Sequence, residues 1–159
     1  QLILGTLFLW ASASQADTAS TSLYFTDKDN VSLGRVVFTD TSYGMLIQPE
    51  LQNLTAGLHG LHLHQHPDCG DKGNHAGGHF DPQDTKSHHG PYGKGHLGDL
   101  PALYVDTNGK ASLATLAPRL HVSDLKGLTL MIHANGDNYS DNPPLGGGGS
   151  RVACGVISN

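Results

Sequence analysis

Two histidines separated by a single residue, His62-Leu63-His64, constrain this chain more than any other feature. On a β-strand successive side chains alternate faces, so the two imidazoles point the same way about 7 Å apart, close enough to meet one ion at bonds of about 2 Å. On a helix they would stand about 200° apart around the axis and could not share it. The motif therefore asks for a strand and a metal together.

Composition fits that demand. At 159 residues and 37% hydrophobic, the chain is long enough for one globular domain with a real core. The net charge of −5 and the lack of any basic run or aromatic-basic interleaving argue against a nucleic-acid partner. Twenty-one glycines against four phenylalanines predict turns and loops rather than long helices.

Residues 1–16 differ from the rest. Leu2 to Trp10 is almost wholly apolar, too short to span a bilayer, and is followed by small residues that offer processing sites at Ala13 and Ala16. This reads as a secretory signal peptide lacking its Met and basic start, against the alternative of a buried N-terminal strand. The domain proper is then 17–159, exported, soluble and without a membrane anchor. In an oxidising compartment such as the periplasm the only cysteines, Cys69 and Cys154, are expected to pair rather than remain as two buried thiols.

Eight short strands follow from β-branched or alternating apolar residues: Leu23–Thr26, Val31–Phe38, Tyr43–Gln48, Leu58–His64, Ala102–Val105, Ala111–Leu116, Leu128–His133 and Arg151–Ile157. Such a series predicts an all-β sandwich or barrel. Gly34 is expected at a bulge, and Thr107-Asn108-Gly109-Lys110 at a turn between paired strands. Gln65–Leu100 and Asn135–Ser150 lack strand character, and loops of that length need fastening.

The loops carry the remaining donors. His79, His88, His96 and Asp99 form a closed four-ligand set of the structural-zinc type. His133, ending an apolar strand, joins His62 and His64 in a second set suited to copper or to a catalytic zinc. Seven ligands for two metals make a shared, imidazolate-bridging histidine the economical reading.

The runs His59-Gly60-Leu61-His62-Leu63-His64, Gly77-Gly78-His79, Gly95-His96-Leu97-Gly98-Asp99-Leu100 and Gly147-Gly148-Gly149-Ser150-Arg151-Val152-Ala153-Cys154-Gly155-Val156 closely resemble copper/zinc superoxide dismutases, in particular their periplasmic bacterial branch. The resemblance covers about Leu23 to Ile157 and implies an eight-stranded Greek-key β-sandwich or flattened barrel with long metal-binding loops, an architecture to which these enzymes belong. It implies copper on His62, His64, His79 and His133, and zinc on His79, His88, His96 and Asp99, with His79 the bridge and a participant in catalysis. Asp137 matches the family's carboxylate that hydrogen-bonds one ligand of each metal, here His62 and His88; without the resemblance it reads as a solvated loop carboxylate. Arg151 matches the arginine that positions the anion, where a lone arginine at a strand start would read as a surface residue. His88 is preferred to its neighbour His89. His59, of opposite parity to His62 and His64, should bond backbone. His66, His75 and His121 have no counterpart, and Lys72 is a candidate guide at the channel mouth.

The activity implied is dismutation of superoxide to O₂ and hydrogen peroxide with Cu(II)/Cu(I) and Zn(II), in a protein compatible with a homodimer. A metal carrier would have no need of Arg151 together with a bridging His79. A zinc hydrolase would need a Glu within the cluster as general base, and the sequence offers none.

Overall fold

The computed structural model describes residues 16–28 and 31–158. The expected leader, apart from Ala16, lies outside them.

Inward and outward side chains alternate along β1 (Thr18–Phe25), where Ala19, Thr21 and Leu23 are buried and the residues between them exposed. That period carries β1, β2 (Ser32–Thr41) and β3 (Gly44–Leu51) as an antiparallel meander. β4 (Gly57–His59), β5 (Leu61–His64), β6 (Leu103–Val105), β7 (Thr115–Ala117), β8 (Thr129–His133) and β9 (Arg151–Val156) follow. The large sheet runs β5-β8-β9-β1-β2-β3-β7, and β4 pairs with β6 apart from it. The last strand returns beside the first, and β7 crosses to β3, as in Greek-key connections. Leu23, Leu33, Phe38, Ile47, Leu63 and Leu130 are fully or almost fully buried in one core.

The all-β class and the Gly34 bulge stand as expected. The pairing of β1 with β2 slips by one residue opposite Gly34, whose φ is +123° and whose Cβ, if present, would lie 2.1 Å from Glu50 O. Most strand ends shift by one to three residues, and three differences go further. β1 begins five residues earlier than Leu23, because its inward positions are Ala19 and Thr21; Thr21 Oγ1 donates to Val156 O at 2.8 Å, a polar inward residue that hides the alternation. Leu58–His64 is two strands, making nine in all among the described residues rather than eight. Gly60 N donates to Asn135 O and Gly60 O accepts from His133 N, so the chain leaves its partnership with β6 there and begins one with β8. Ala111–Leu116 shrinks to Thr115–Ala117. The Asn108-Gly109 turn forms with Gly109 at φ +76°, but its arms serve different partners, β6 pairing with β4 while Ala111 bridges Leu51.

The feature that places the site is the free edge of β5. Two stretches of the long loop after β5, 78–80 and 98–100, return to that edge: Phe80 N donates to Leu63 O, Leu63 N to Gly98 O, Gln65 N to Gly78 O and Leu100 N to Leu61 O, at 2.8 to 3.2 Å. Gly98 permits the approach, since a Cβ there would lie 2.5 Å from Leu63 O. His79 is thereby set opposite His64, and Asp99 opposite His62.

Cys69 and Cys154 form a disulfide across 85 positions, joining this loop to β9 with their Cα atoms 5.8 Å apart. Closing a loop of that length stabilises by about 4–5 kcal/mol in the chain-entropy picture. Reduction, or Cys69→Ser with Cys154→Ser, is expected to lower unfolding stability by about 2–5 kcal/mol and to speed hydrogen exchange around Gly73 and Gly77. Denaturant melts and amide exchange with matched metal content check this; unchanged values would refute it.

Candidate metal centre

β5 and β8 are buried on both faces. Leu61 and Leu63 enter the core, so His62 and His64 must face the other way, and there the two long loops cover them. His133, at the end of β8, completes the wall. Ring centroids of His62 and His79 lie 3.9 Å apart, those of His62 and His133 4.8 Å, and those of His64 and His79 5.1 Å.

Each imidazole spends one nitrogen on the protein. His62 Nε2–H donates to Asp137 Oδ2 at 2.6 Å, His64 Nδ1–H to Gly77 O at 2.9 Å, and His133 Nδ1–H to Gly149 O at 3.1 Å. With His79 Nδ1 held by Asp99 Oδ1 at 2.9 Å, these bonds fix the tautomers and leave His62 Nδ1, His64 Nε2, His79 Nε2 and His133 Nε2 buried without a protein partner. One donor atom from each of these four residues lies within 4.8 Å of every other. Four inward lone pairs at that spacing fit a single cation.

A second gathering centres on Asp99. His79 Nδ1, His88 Nδ1 and His96 Nδ1 lie 2.9, 2.9 and 3.3 Å from Asp99 Oδ1. The His88 contact is too far off line to count as a hydrogen bond, which leaves that nitrogen unpaired as well. Three imidazoles crowding one carboxylate oxygen are the donor set of a four-coordinate site. His96 is the loosest of the four. The tightest cluster on this side is His62, His79, His88 and Asp99, because His62 stacks on His79. His62 and His79 therefore belong to both gatherings, but only His79 turns one ring nitrogen to each, since His62 gives its other nitrogen to Asp137.

Asp137 ties the two gatherings together, accepting from His62 through Oδ2 and from His88 Nε2 through Oδ1 at 2.8 Å. Gly146 sits against it; a Cβ there would fall 2.0 Å from Asp137 Oδ1. His59 turns away from the cluster, its Nδ1 2.7 Å from His133 O and its Nε2 2.8 Å from Thr55 O, both main-chain acceptors. His89 is exposed, as are His66, His75 and His121, with His75 beside Asp68 at 3.3 Å. Two loop residues that help here carry no signal in the sequence. Asp141 Oδ1 accepts from His88 N at 2.9 Å, and Tyr139 packs on Gly90 while its hydroxyl accepts from Ala102 N. Bonds to main-chain groups leave no residue pattern by which to find them.

Arg151, half-buried, donates from Nη1 to Gly73 O and from Nη2 to Gly77 O at 2.6 Å. It lines a cavity of about 300 Å³ with His64, His79, His133, Pro144, Leu145, Gly148 and Gly149. Among the described residues no carboxylate pairs with it, so its charge at the cavity wall is not neutralised by an ion pair.

The sequence profile of the copper/zinc superoxide dismutase (SODC) family matches residues 32–157. The chain belongs to the copper/zinc superoxide dismutase family. A Legionella pneumophila Cu-Zn superoxide dismutase is 59% identical over 98% of this chain and 96% of its own. Among solved structures, the Cu/Zn superoxide dismutase from Brucella abortus aligns with a TM-score of 0.84 at 40% identity, covering 89% of this chain and all of that one. The monomeric copper, zinc superoxide dismutase from Salmonella enterica aligns at 0.75 with 44% identity, over 91% of this chain and all of that one. Family membership makes this a superoxide dismutase using copper and zinc, and the unpaired donors above suit both ions.

Burial favours the neutral form of His62, His64, His79 and His133. Desolvation pushes His62 down to about 3 and His133 to about 4, and lowers His64 and His79. Burial also opposes charge on His88, but its hydrogen bond to Asp137 and the close negative charge of Asp99 and Asp137 outweigh it and raise this imidazole to about 9. Burial alone would raise Asp99 and Asp137; hydrogen bonds from the surrounding histidines instead hold both well below the usual carboxylate range.

These shifts set the acid sensitivity of the metal-free chain. His62, His64, His79 and His133 bind protons less readily folded than unfolded, so below about pH 6.5 acid favours the unfolded chain, and Asp99 and Asp137 act in the same direction at lower pH. His88 acts oppositely, its contribution being complete below about 6.5 and lost as pH rises to about 9. Denaturant midpoints of the metal-free protein should therefore peak near neutrality and fall steeply towards about pH 4. Midpoints that climb steadily on acidification would contradict the assignment.

Proposed function

We propose that His62, His64, His79 and His133 hold copper, that His79, His88, His96 and Asp99 hold zinc, and that His79 is shared through its two ring nitrogens. The observation that carries this reading is the direction of the free nitrogens. Each is left bare by a hydrogen bond on the opposite side of its ring, except at His79, where both sides face a donor set.

The overall reaction consumes two superoxide ions and two protons and yields O₂ and hydrogen peroxide. Copper, when bound, supplies the one-electron chemistry that lets one superoxide be oxidised and another reduced, while zinc supplies fixed charge. The protein does the rest. Arg151 holds a guanidinium at the wall of the cavity that also contains His64, His79 and His133, and its two bonds to Gly73 O and Gly77 O fix its plane. It offers an anion charge and donors without titrating near neutral pH. His79 Nε2 is the atom placed to hold and release a proton beside that anion, while Asp99 keeps the other ring nitrogen oriented. Asp137 makes the two donor sets interdependent by restraining His62 and His88 at once.

A net charge of −5 opposes the approach of an anion, so local positive charge has to steer it. Lys72 and Lys28 line a cleft that adjoins Arg151 and extend that field outward. Every proposed ligand and Arg151 come from one chain, so the site does not require a homodimer, and the Salmonella relative is monomeric. Among the described residues no helix is long and apolar enough to cross a membrane. The disulfide suits an oxidising compartment, and we place the protein in the periplasm after removal of the leader.

Superoxide decay with matched copper occupancy tests this arrangement. Arg151→Ala is expected to lower activity at least several-fold and Arg151→Glu further, and the wild-type rate should fall as salt screens the field. Equal rates for Arg151→Glu and wild type at low salt would refute the steering role and favour a metal-storage reading.

A further inference from the structure

Arg119 lies on the opposite edge of the large sheet from β5, just after β7. Its guanidinium reaches only main-chain oxygens. Nε donates to Pro91 O at 3.0 Å, Nη1 to Gly95 O at 3.0 Å, and Nη2 to Gly90 O at 3.3 Å and His96 O at 2.6 Å. No ion pair to Arg119 is found among the described residues.

The four acceptors span Gly90–His96, the stretch that joins His88 to His96 in the proposed zinc set. This stretch has little to hold it otherwise. Its main-chain hydrogen bonds are Gly93 N to Gly90 O at 3.4 Å, His96 N to Ser87 O at 2.8 Å and Asp99 N to His96 O at 3.4 Å. It has no strand partner, and the His96 ring is the loosest of the three imidazoles about Asp99.

The base of Arg119, by contrast, is well anchored. Ala117 pairs with Met45 in the sheet, Leu120 is buried, and Pro118 lies against Gly44, where a Cβ would come within 2.5 Å of Pro118 Cα. A planar fork with five donors, launched from a fixed strand end, can hold several carbonyls of a turn in one arrangement; an ammonium is a point donor on a flexible stem and cannot span them.

We propose that Arg119 is a positioning residue for zinc: by gathering the carbonyls of Gly90, Pro91, Gly95 and His96, it fixes the spacing of His88 and His96 and so sets zinc affinity without touching the metal. This rests on the zinc assignment made above. It separates the two metals, because His62, His64 and His133 take their bonds from other elements.

The test uses the full chain as wild type, Arg119→Met, which keeps the stem, and Arg119→Lys, which keeps the charge. Zinc and copper affinities are measured separately by chelator competition, with the visible spectrum of cobalt at the zinc position and the thermal unfolding of the metal-free proteins alongside. Both variants should lose zinc affinity on the order of tenfold or more. Copper affinity should change far less, the cobalt bands should broaden or shift, and the metal-free melting temperature should stay close to wild type. Wild-type zinc affinity in Arg119→Lys would overturn the proposal, as would equal losses for zinc and copper accompanied by a lower melting temperature in the metal-free chain. Failure of the wild type itself to bind zinc with a cobalt spectrum of that site would overturn the zinc assignment along with it.

Discussion

Five imidazole nitrogens buried without a protein hydrogen-bond partner are the constraint on which the rest of this molecule turns. A buried polar atom left unpaired costs about 1–3 kcal/mol, so a fold that gathers five in one place must gain from what they bind. The fold spends much of its irregular structure bringing them together. Ordinary strand alternation supplies His62 and His64, but His79 and Asp99 arrive because two stretches of a long loop hydrogen-bond to the otherwise open edge of β5. The edge strand, an aggregation liability in most sheets, is here covered by the loop that brings ligands to it.

The same economy governs the outer layer. Asp137 restrains His62 and His88 together, Gly77 O fixes both His64 and Arg151, and Gly149 O fixes His133. One carbonyl that orients both the His64 ring and the Arg151 guanidinium couples the geometry of the site to the cavity beside it. The disulfide anchors that corner, because Cys69 precedes Gly73 and Gly77 in the same loop and Cys154 lies on the strand that begins with Arg151. Loops without regular secondary structure are thus held by bonds to single atoms.

Most of the candidate site was legible in the sequence, because metal ligands need particular side chains at particular parities. His62 and His64 share a face by arithmetic, and His59 falls opposite them for the same reason. The remaining ligand positions rested on the resemblance to copper/zinc superoxide dismutases, whose motifs here stand in order. Strand edges were less legible. β1 hides its alternation behind Ala19 and Thr21, and the division between β4 and β5 depends on Gly60 bonding to Asn135, a contact with a segment remote in sequence. Arg119, Tyr139 and Asp141 stayed invisible for another reason. They act on main-chain atoms, which every residue carries, so nothing in the acceptor's identity points back to them.

Sharing of His79 between the two metals is the claim on which the account stands, and magnetic resonance of a copper-loaded protein with cobalt in the zinc position tests it most directly. If one imidazole joins the two ions, the Cu(II) signal should be strongly coupled to Co(II) in a fully loaded sample, and the coupling should disappear in His79→Ala with both ions still present. An unperturbed Cu(II) spectrum beside a filled cobalt site in the wild type would contradict it.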